Sequence, residues 1–146
     1  MEKYIINTDG GSRGNPGPSA LGVVIKSADG SLKKEYGEYL GHGTNNEAEY
    51  KAVIFGLKKL KQLVGKSKTK EIEVTVCTDS ELLTRQINGH YKIMDSKIQA
   101  LFFEIWNLKM DFGHITFKHV FREENKEADR MVNAVLDKEL TGKLDF

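Results

Sequence analysis

The first regular segment of the chain reads Tyr4-Ile5-Ile6-Asn7-Thr8, and the stretch after it reads Asp9-Gly10-Gly11-Ser12-Arg13-Gly14-Asn15-Pro16-Gly17-Pro18. The apolar and β-branched residues of the segment 4–8 predict a strand. The clustered glycines and prolines of the second stretch predict a loop. Residues 20–27 and 31–40 again have strand character, and Ala28-Asp29-Gly30 between them is a turn signal. The first 40 residues therefore predict a three-stranded antiparallel meander.

The pattern changes to helical spacing after Thr44. Apolar residues recur three and four positions apart up to Val64, behind Asn46 as the candidate N-cap and before Gly65 as the stop signal. Further strands are predicted at 71–78 and 114–121, and further helices at 80–88, at 96–110 and from Asn125 onward. Strand–helix–strand crossovers require parallel pairing. The order βββαβααβα therefore predicts an α/β fold with a mixed five-stranded sheet, three antiparallel strands followed by parallel strands, flanked by helices.

Length and composition narrow the class of protein. The 146 residues fit a single domain spanning 1–146, and 39% hydrophobic with 29% charged residues argues against disorder. The single cysteine, Cys77, excludes an intrachain disulfide. No apolar run approaches the ~20 residues that span a bilayer, and no signal-peptide pattern is present. We expect a cytoplasmic monomer that does not associate with membranes. A net charge of +1 gives nucleic-acid binding no support, and the lysines within 58–70 are typical of a solvated helix end.

Four carboxylates lie near the ends of predicted elements. Asp9 ends the first predicted strand and Asp79 ends the fourth, so parallel pairing would bring both to the same carboxyl edge of the sheet. Each acid also has a plain structural explanation. An Asp before Gly or Ser often forms a turn or caps a helix. Glu49 would be the capping-box acid if Asn46 is the N-cap, and Asp129 would complement the dipole of the last helix.

Together the motifs resemble the type 1 ribonuclease H family, over about residues 4–137. The resemblance is carried, in the family's order, by Thr8-Asp9-Gly10-Gly11-Ser12 with Gly14-Asn15-Pro16-Gly17-Pro18, by Thr44-Asn45-Asn46-Glu47-Ala48-Glu49, by Thr78-Asp79-Ser80 and by Glu124-Asn125-Lys126-Glu127-Ala128-Asp129. It implies the ribonuclease H-like fold. It also implies an endonuclease that hydrolyses the RNA strand of RNA–DNA hybrids by two-metal-ion catalysis and leaves 5′-phosphate and 3′-hydroxyl ends.

The resemblance also implies which residues form the site. The catalytic and metal-binding set would be Asp9, Glu49, Asp79 and Asp129. Asp9 would bridge two ions, Glu49 and Asp79 would hold the ion that activates water, and Asp129 would hold the other. In the second motif the acid three residues after the second Asn maps to Glu49 rather than Glu47, and residues two apart do not share a helix face.

Elementary chemistry agrees with such a cation site. Carboxylates that converge without a cation repel one another and raise one another's pKa. An all-oxygen ligand set suits two Mg²⁺ ions, or Mn²⁺, and not zinc.

Substrate contacts implied by the resemblance are Gly10, Asn15, Thr44, Asn45 and Asn46. Asn side chains and backbone groups suit the RNA 2′-hydroxyl, which both donates and accepts hydrogen bonds.

The chain departs from the family pattern in the loop before its last helix. Many members carry a His in a Gly-rich loop there, whereas this loop reads Phe121-Arg122-Glu123-Glu124-Asn125. We expect Arg122 to replace that His as a catalytic residue, since a permanent cation can contact phosphate. It could instead pair with Glu123 or Glu124. His119 belongs to the fifth strand, and we expect it to be structural.

A second departure concerns the connection between the second and third helices. Only residues 88–94 lie there, without the basic, Trp-containing protrusion of some members. The chain therefore resembles the compact archaeal and bacterial form.

Two other functions stay open at this stage. A related nuclease could cut double-stranded RNA also or instead, because the predicted Asn contacts disfavour DNA duplexes but not RNA duplexes. An inactive hybrid-binding module is the other alternative. Such a module would usually have lost a carboxylate, and all four are present.

Overall fold

The computed structural model describes the backbone of residues 1–144 and the side chains of residues 1–141. The predicted single domain also includes residues 145–146, which lie outside this description. The elements, in chain order, are β1 (Lys3–Ser12), β2 (Gly17–Ser27), β3 (Lys33–Gly43), α1 (Asn45–Val64), β4 (Glu73–Thr78), α2 (Glu81–Ile87), α3 (Ser96–Lys109), β5 (His114–His119) and α4 (Lys126–Leu144). This order confirms the prediction. Within residues 1–144, no helix has the length and apolarity that crossing a bilayer requires.

The five strands form one sheet in the order β3-β2-β1-β4-β5. β1 and β3 each pair antiparallel with β2, whereas β1, β4 and β5 run parallel, which confirms the predicted mixed sheet. The parallel ladder between β1 and β4 ends at the pair Thr8–Thr78. Asp9, still within β1, and Asp79, just after β4, are the next residues along the chain. Both therefore lie at the same edge of the sheet.

The first strand is longer than its sequence pattern predicts. Gly10, Gly11 and Ser12 remain in β1 because they pair with Leu21, Ala20 and Ser19 of β2. The prediction that Asp9 ends the strand is therefore wrong. Asp9 lies inside β1, one residue beyond the last pair with β4. A hairpin partner supplies backbone hydrogen bonds that local composition does not predict, so the glycine loop shortens to residues 13–16.

Helices cover both faces of the sheet. One face packs against α1, with α3 behind it, and forms the main core, which includes Ile6, Val23, Ile25, Val53, Leu57 and Val74. The other face packs against α4 through Ala20, Val132 and Leu136. α4 approaches β2 so closely that a Cβ on Gly22 would overlap the backbone of Ala128. Gly22 pairs with Asp9, so this contact brings α4 beside the acid.

Three of the lysines within 58–70 form ion pairs or hydrogen bonds in this packing. Lys58 pairs with Glu104 of α3 at 3.1 Å, and Lys61 pairs with Asp111 at 2.7 Å. Lys70 Nζ donates to the backbone oxygen of Met110 at 2.6 Å. These lysines tie α1 and the turn after it to α3, as expected for a polar helix surface.

Asn125 joins the end of β1 to the start of α4. Its side chain is almost fully buried, and its amide donates to the backbone oxygen of Thr8 at 2.9 Å. Its side-chain oxygen accepts from the Asn7 amide at 3.1 Å, and its backbone oxygen accepts from the Asp129 N–H at 3.1 Å. One buried residue thus connects the residue before Asp9 with the helix turn that carries Asp129.

Asn125→Ala should lower the free energy of unfolding by roughly 1–3 kcal/mol, because it leaves the buried Thr8 carbonyl without its donor. In a chain of this size each kcal/mol lowers Tm by about 2–4 °C. Thermal unfolding followed by circular dichroism measures the change. Lys126→Ala, at the exposed neighbouring position, is the control and should change stability by less than about 0.5 kcal/mol. Equal losses in the two variants would contradict this role for Asn125.

Candidate active site

The acids predicted from the sequence converge in one cavity. Carboxylate oxygens of Asp9, Glu49 and Asp79 lie within 4.8 Å of one another. Asp129 lines the same cavity of about 540 Å³ and is among the residues that raise the pKa of Asp9. The four residues come from β1, from α1, from the residue after β4 and from α4. The fold therefore assembles the cluster from segments that are far apart in the chain.

The start of α1 explains why Glu49, and not Glu47, reaches the cluster. The N-cap is Thr44, whose hydroxyl accepts from the Glu47 N–H at 3.1 Å and donates to the Glu47 carboxylate at 3.2 Å. Glu47 is therefore the capping-box acid. The alternatives that made Asn46 the N-cap and Glu49 the capping acid are wrong. Glu49 is only 8% exposed and lies beside Asp9.

A direct backbone contact between β1 and α1 brings Glu49 into place. A Cβ on Gly10 would overlap the backbone of Ala48, so only glycine allows the strand and the helix to approach this closely. At this distance the Gly10 N–H donates to the Glu49 carboxylate. The Thr78 hydroxyl donates to the second carboxylate oxygen at 3.4 Å. Glu49 is thus oriented by the strands on which Asp9 and Asp79 lie.

The cluster concentrates negative charge away from water. Burial raises the pKa of Asp9, and the nearby charges of Glu49 and Asp79 raise it further. Burial and the charge of Asp79 likewise raise the pKa of Glu49. Arg122 lies at the cluster, with its Nε 4.0 Å from Asp79 Oδ2, but its side chain is 84% exposed and is screened by water. A bound hard cation fits this all-oxygen site, since it would offset the repulsion.

Both candidates for the missing loop His lie in the cavity wall. Arg122 approaches Asp79 rather than pairing with Glu123 or Glu124. His119 belongs to β5, as predicted, although the strand ends at this residue rather than at 121. It also lines the cavity, and its ring packs against Phe121. Position alone does not separate their roles, so the assignment of Arg122 as the catalytic residue stays a prediction.

The predicted substrate contacts lie around the start of α1. Gly10 and Asn45 line the cavity. Asn45 Oδ1 accepts from the Ser12 N–H at 2.8 Å, and Asn15 Oδ1 accepts from the Asn45 N–H at 3.0 Å. Thr44 caps the helix. Asn15, Thr44 and Asn46 are not part of the cavity lining. Asn15, Thr44 and Asn45 therefore serve local structure, and their contact with substrate stays a prediction.

Two of the residues to which the sequence analysis gave no role bear on the site because they line the cavity beside Asp129. They are Arg13, on the glycine loop, and Asn133, on α4. Asn133 follows Asp129 by four residues, a spacing that places side chains on the same helix face. That spacing was a usable signal in the sequence. Arg13 offered no such signal, because only the folded chain brings the loop beside α4.

Residues 7–135 match the family of proteins described as reverse transcriptase-like. A bifunctional protein of Mycobacterium tuberculosis is 36% identical over 136 residues, which cover 92% of this chain and 36% of that protein. Ribonuclease H of Paracidovorax citrulli is 34% identical over an alignment of 159 positions including gaps, which covers 96% of this chain and 98% of that enzyme. The crystal structure of LC11-RNase H1 in complex with an RNA/DNA hybrid is 43% identical, has a TM-score of 0.87, and covers 94% of this chain and 99% of that one.

The chain belongs to the reverse transcriptase-like family and, within it, to the type 1 ribonucleases H. It spans 36% of the length of the mycobacterial relatives that it matches.

Asp9→Asn should stabilise the metal-free protein, because a neutral amide replaces an acid that must either carry a charge beside like charges or bind a proton when the chain folds. A raised carboxyl pKa means that the folded state holds its proton more tightly than the unfolded state. Stability of the metal-free wild type should therefore fall as pH rises from about 4, the ordinary Asp pKa, toward neutrality. The variant should show a weaker fall. Thermal unfolding in EDTA at several pH values measures both, and a lower Tm for Asp9→Asn at pH 7 would contradict the expectation.

Proposed function

We propose that this chain is a metal-dependent endonuclease that hydrolyses the RNA strand of RNA–DNA hybrids and leaves 5′-phosphate and 3′-hydroxyl ends. The observation that carries the proposal is the convergence of Asp9, Glu49, Asp79 and Asp129 in one open cavity, whose rim includes the Asn45 end of α1. A structural domain has no use for buried, mutually repelling acids. The likeness to LC11-RNase H1, solved with an RNA/DNA hybrid, supports the choice of substrate.

The four carboxylates would hold two divalent ions, Mg²⁺ or Mn²⁺. Such ions supply a nucleophile at neutral pH and stabilise the developing charge on the leaving oxygen. The chain itself supplies the ligand set and its orientation. Gly10 and Thr78 donate hydrogen bonds to Glu49, and Asn125 places the start of α4, and with it Asp129, beside β1. The cavity is formed by one chain, so we expect a monomer to be active.

Residues around the start of α1 would read the substrate. Asn45 lies at the cavity and is backed by Ser12 and Asn15, so its backbone and side chain are held in place before substrate binds. The Gly10 backbone lies beside Glu49 and lacks a side chain that would block access. We propose that these groups, with Thr44 and Asn46 on the same helix end, contact the 2′-hydroxyls of the RNA strand and a phosphate of the DNA strand.

The direct test compares one sequence as RNA–DNA, RNA–RNA and DNA–DNA duplexes, with and without Mg²⁺. Only the RNA strand of the hybrid should be cut, and the products should carry 5′-phosphates. Glu49→Gln should lower the rate of cleavage by more than about 100-fold. Even substitution of a residue that only contacts a metal ligand typically lowers metal affinity or activity ~10–100-fold. Glu47→Gln, on the same helix turn, is the matched control and should keep near-normal activity. Equal cleavage of double-stranded RNA would favour the broader nuclease, and binding without cleavage would favour the inactive module.

Arg122→Ala should lower turnover about tenfold or more, because one charge-assisted hydrogen bond to phosphate is worth ~1.5–3 kcal/mol. The metal concentration needed for half-maximal activity should not rise, because Arg122 is not a ligand. His119→Ala should act mainly on stability. Steady-state kinetics at several Mg²⁺ concentrations, together with thermal unfolding, separates the two variants. Abolished turnover in a folded His119→Ala protein, with a silent Arg122→Ala, would assign the role to the histidine.

A further inference from the structure

We infer that Asn133 is a positioning residue for the Asp129 carboxylate, and that Arg13 and Asp137 hold Asn133 in place. The inference rests on the proposed function, in which Asp129 holds a divalent ion. It concerns residues to which neither the sequence motifs nor the four-carboxylate cluster assigns a role. Three observations carry it: the contacts of the Asn133 side chain, the reach of Arg13 and the place of the glycine loop between two helices.

The Asn133 side chain donates directly to Asp129. Its Nδ2 lies 3.3 Å from the carboxylate oxygen Oδ2 and 3.2 Å from the backbone oxygen of the same residue. Asp129 is half-buried and lines the cavity, so its carboxylate must point inward to take part in the cluster. A neutral amide can fix that direction and leave the negative charge available to a cation. Partners that orient metal ligands in this way typically affect metal affinity.

Arg13 determines which end of the Asn133 side chain faces Asp129. An Asn side chain has a donor end and an acceptor end. Arg13 Nη2 donates to Asn133 Oδ1 at 3.5 Å, and the same nitrogen pairs with Asp137 Oδ1 at 2.6 Å. With a permanent cation on its acceptor side, the amide of Asn133 presents its donor end to Asp129. Asp137, one turn further along α4, anchors the guanidinium.

The loop that carries Arg13 also contacts the opposite wall of the cavity. Arg13 N–H donates to the Pro18 oxygen at 2.9 Å, which closes the loop, and Asn15 Oδ1 accepts from the Asn45 N–H at 3.0 Å. Residues 13–16 therefore link the start of α1 to α4. Through Asn133 this loop couples the proposed substrate-reading end of α1 to the proposed ligand on α4.

A competing explanation is that Arg13 contacts a substrate phosphate, since its side chain is 37% exposed and lines the cavity. The two explanations differ at Asp137, which is 68% exposed and is not part of the cavity lining. Asp137→Asn releases Arg13 from α4. If Arg13 positions Asn133, this substitution should weaken metal binding. If Arg13 instead contacts a substrate phosphate, the substitution would leave Arg13 freer to bind substrate, and metal affinity would not change.

The experiment measures three quantities for wild type, Asn133→Ala, Asp137→Asn and Lys138→Ala. They are Tm in EDTA, Mn²⁺ affinity by calorimetry without substrate, and the Mg²⁺ dependence of hybrid cleavage. Asn133→Ala should keep or raise Tm, because Ala is the better helix former at an exposed position. It should weaken Mn²⁺ affinity about tenfold, and saturating Mg²⁺ should restore most of the turnover. Lys138→Ala, an exposed position on the same helix outside these contacts, should match wild type.

Asp137→Asn should weaken Mn²⁺ affinity about two- to fivefold, in line with the small free energy of an exposed ion pair. Unchanged Mn²⁺ affinity in Asn133→Ala would overturn the inference. Unchanged Mn²⁺ affinity in Asp137→Asn with a lower KM for hybrid would overturn the part played by Arg13. A parallel loss of Tm and activity in Asn133→Ala, without rescue by Mg²⁺, would show a purely structural role. A wild type that neither binds metal nor cuts hybrid would instead refute the proposed function.

Discussion

Repulsion between Asp9 and Glu49 is the constraint that the surrounding structure must overcome. Both carboxylates are buried, Asp79 lies beside them, and Arg122, whose guanidinium approaches Asp79, is largely exposed to water. Placing such groups together disfavours the folded state in the absence of a cation. The contacts around them hold the acids in place against this repulsion.

Those contacts come from rigid elements rather than from flexible loops. The parallel ladder of β1 and β4 brings Asp9 and Asp79 to one edge of the sheet, and the contact between Gly10 and Ala48 brings in Glu49. The main core lies on the α1 face of the sheet, and α4 closes the other face. The apolar packing thus supplies the stability while the edge of the sheet carries the charge.

The sequence predicted the order of elements, the mixed sheet, and that Glu49 rather than Glu47 belongs to the acidic cluster. These features depend on local periodicity, on motif spacing and on the rules of strand connection. The sequence failed at two boundaries that bear on the site. β1 continues to Ser12 because its glycines pair with β2, so hydrogen bonds from another strand overrode a local preference for a loop. α1 is capped by Thr44 rather than Asn46 because the Thr44 hydroxyl reaches the Glu47 N–H, a contact within the start of the helix itself. The family motifs marked the four acids, but periodicity alone would have left each as a turn or cap residue.

The sequence by itself therefore determined the fold class, the family and the identity of the acids, because motif spacing along the chain carries that information. Only the tertiary structure decided what surrounds the acids: the Asn125 contacts between β1 and α4, the closeness of Gly10 to α1, and the line from Arg13 through Asn133 to Asp129. Arg13 and Asn133 are 120 residues apart in the chain. No periodicity records which distant side chains meet, because their meeting depends on how the helices and the sheet pack.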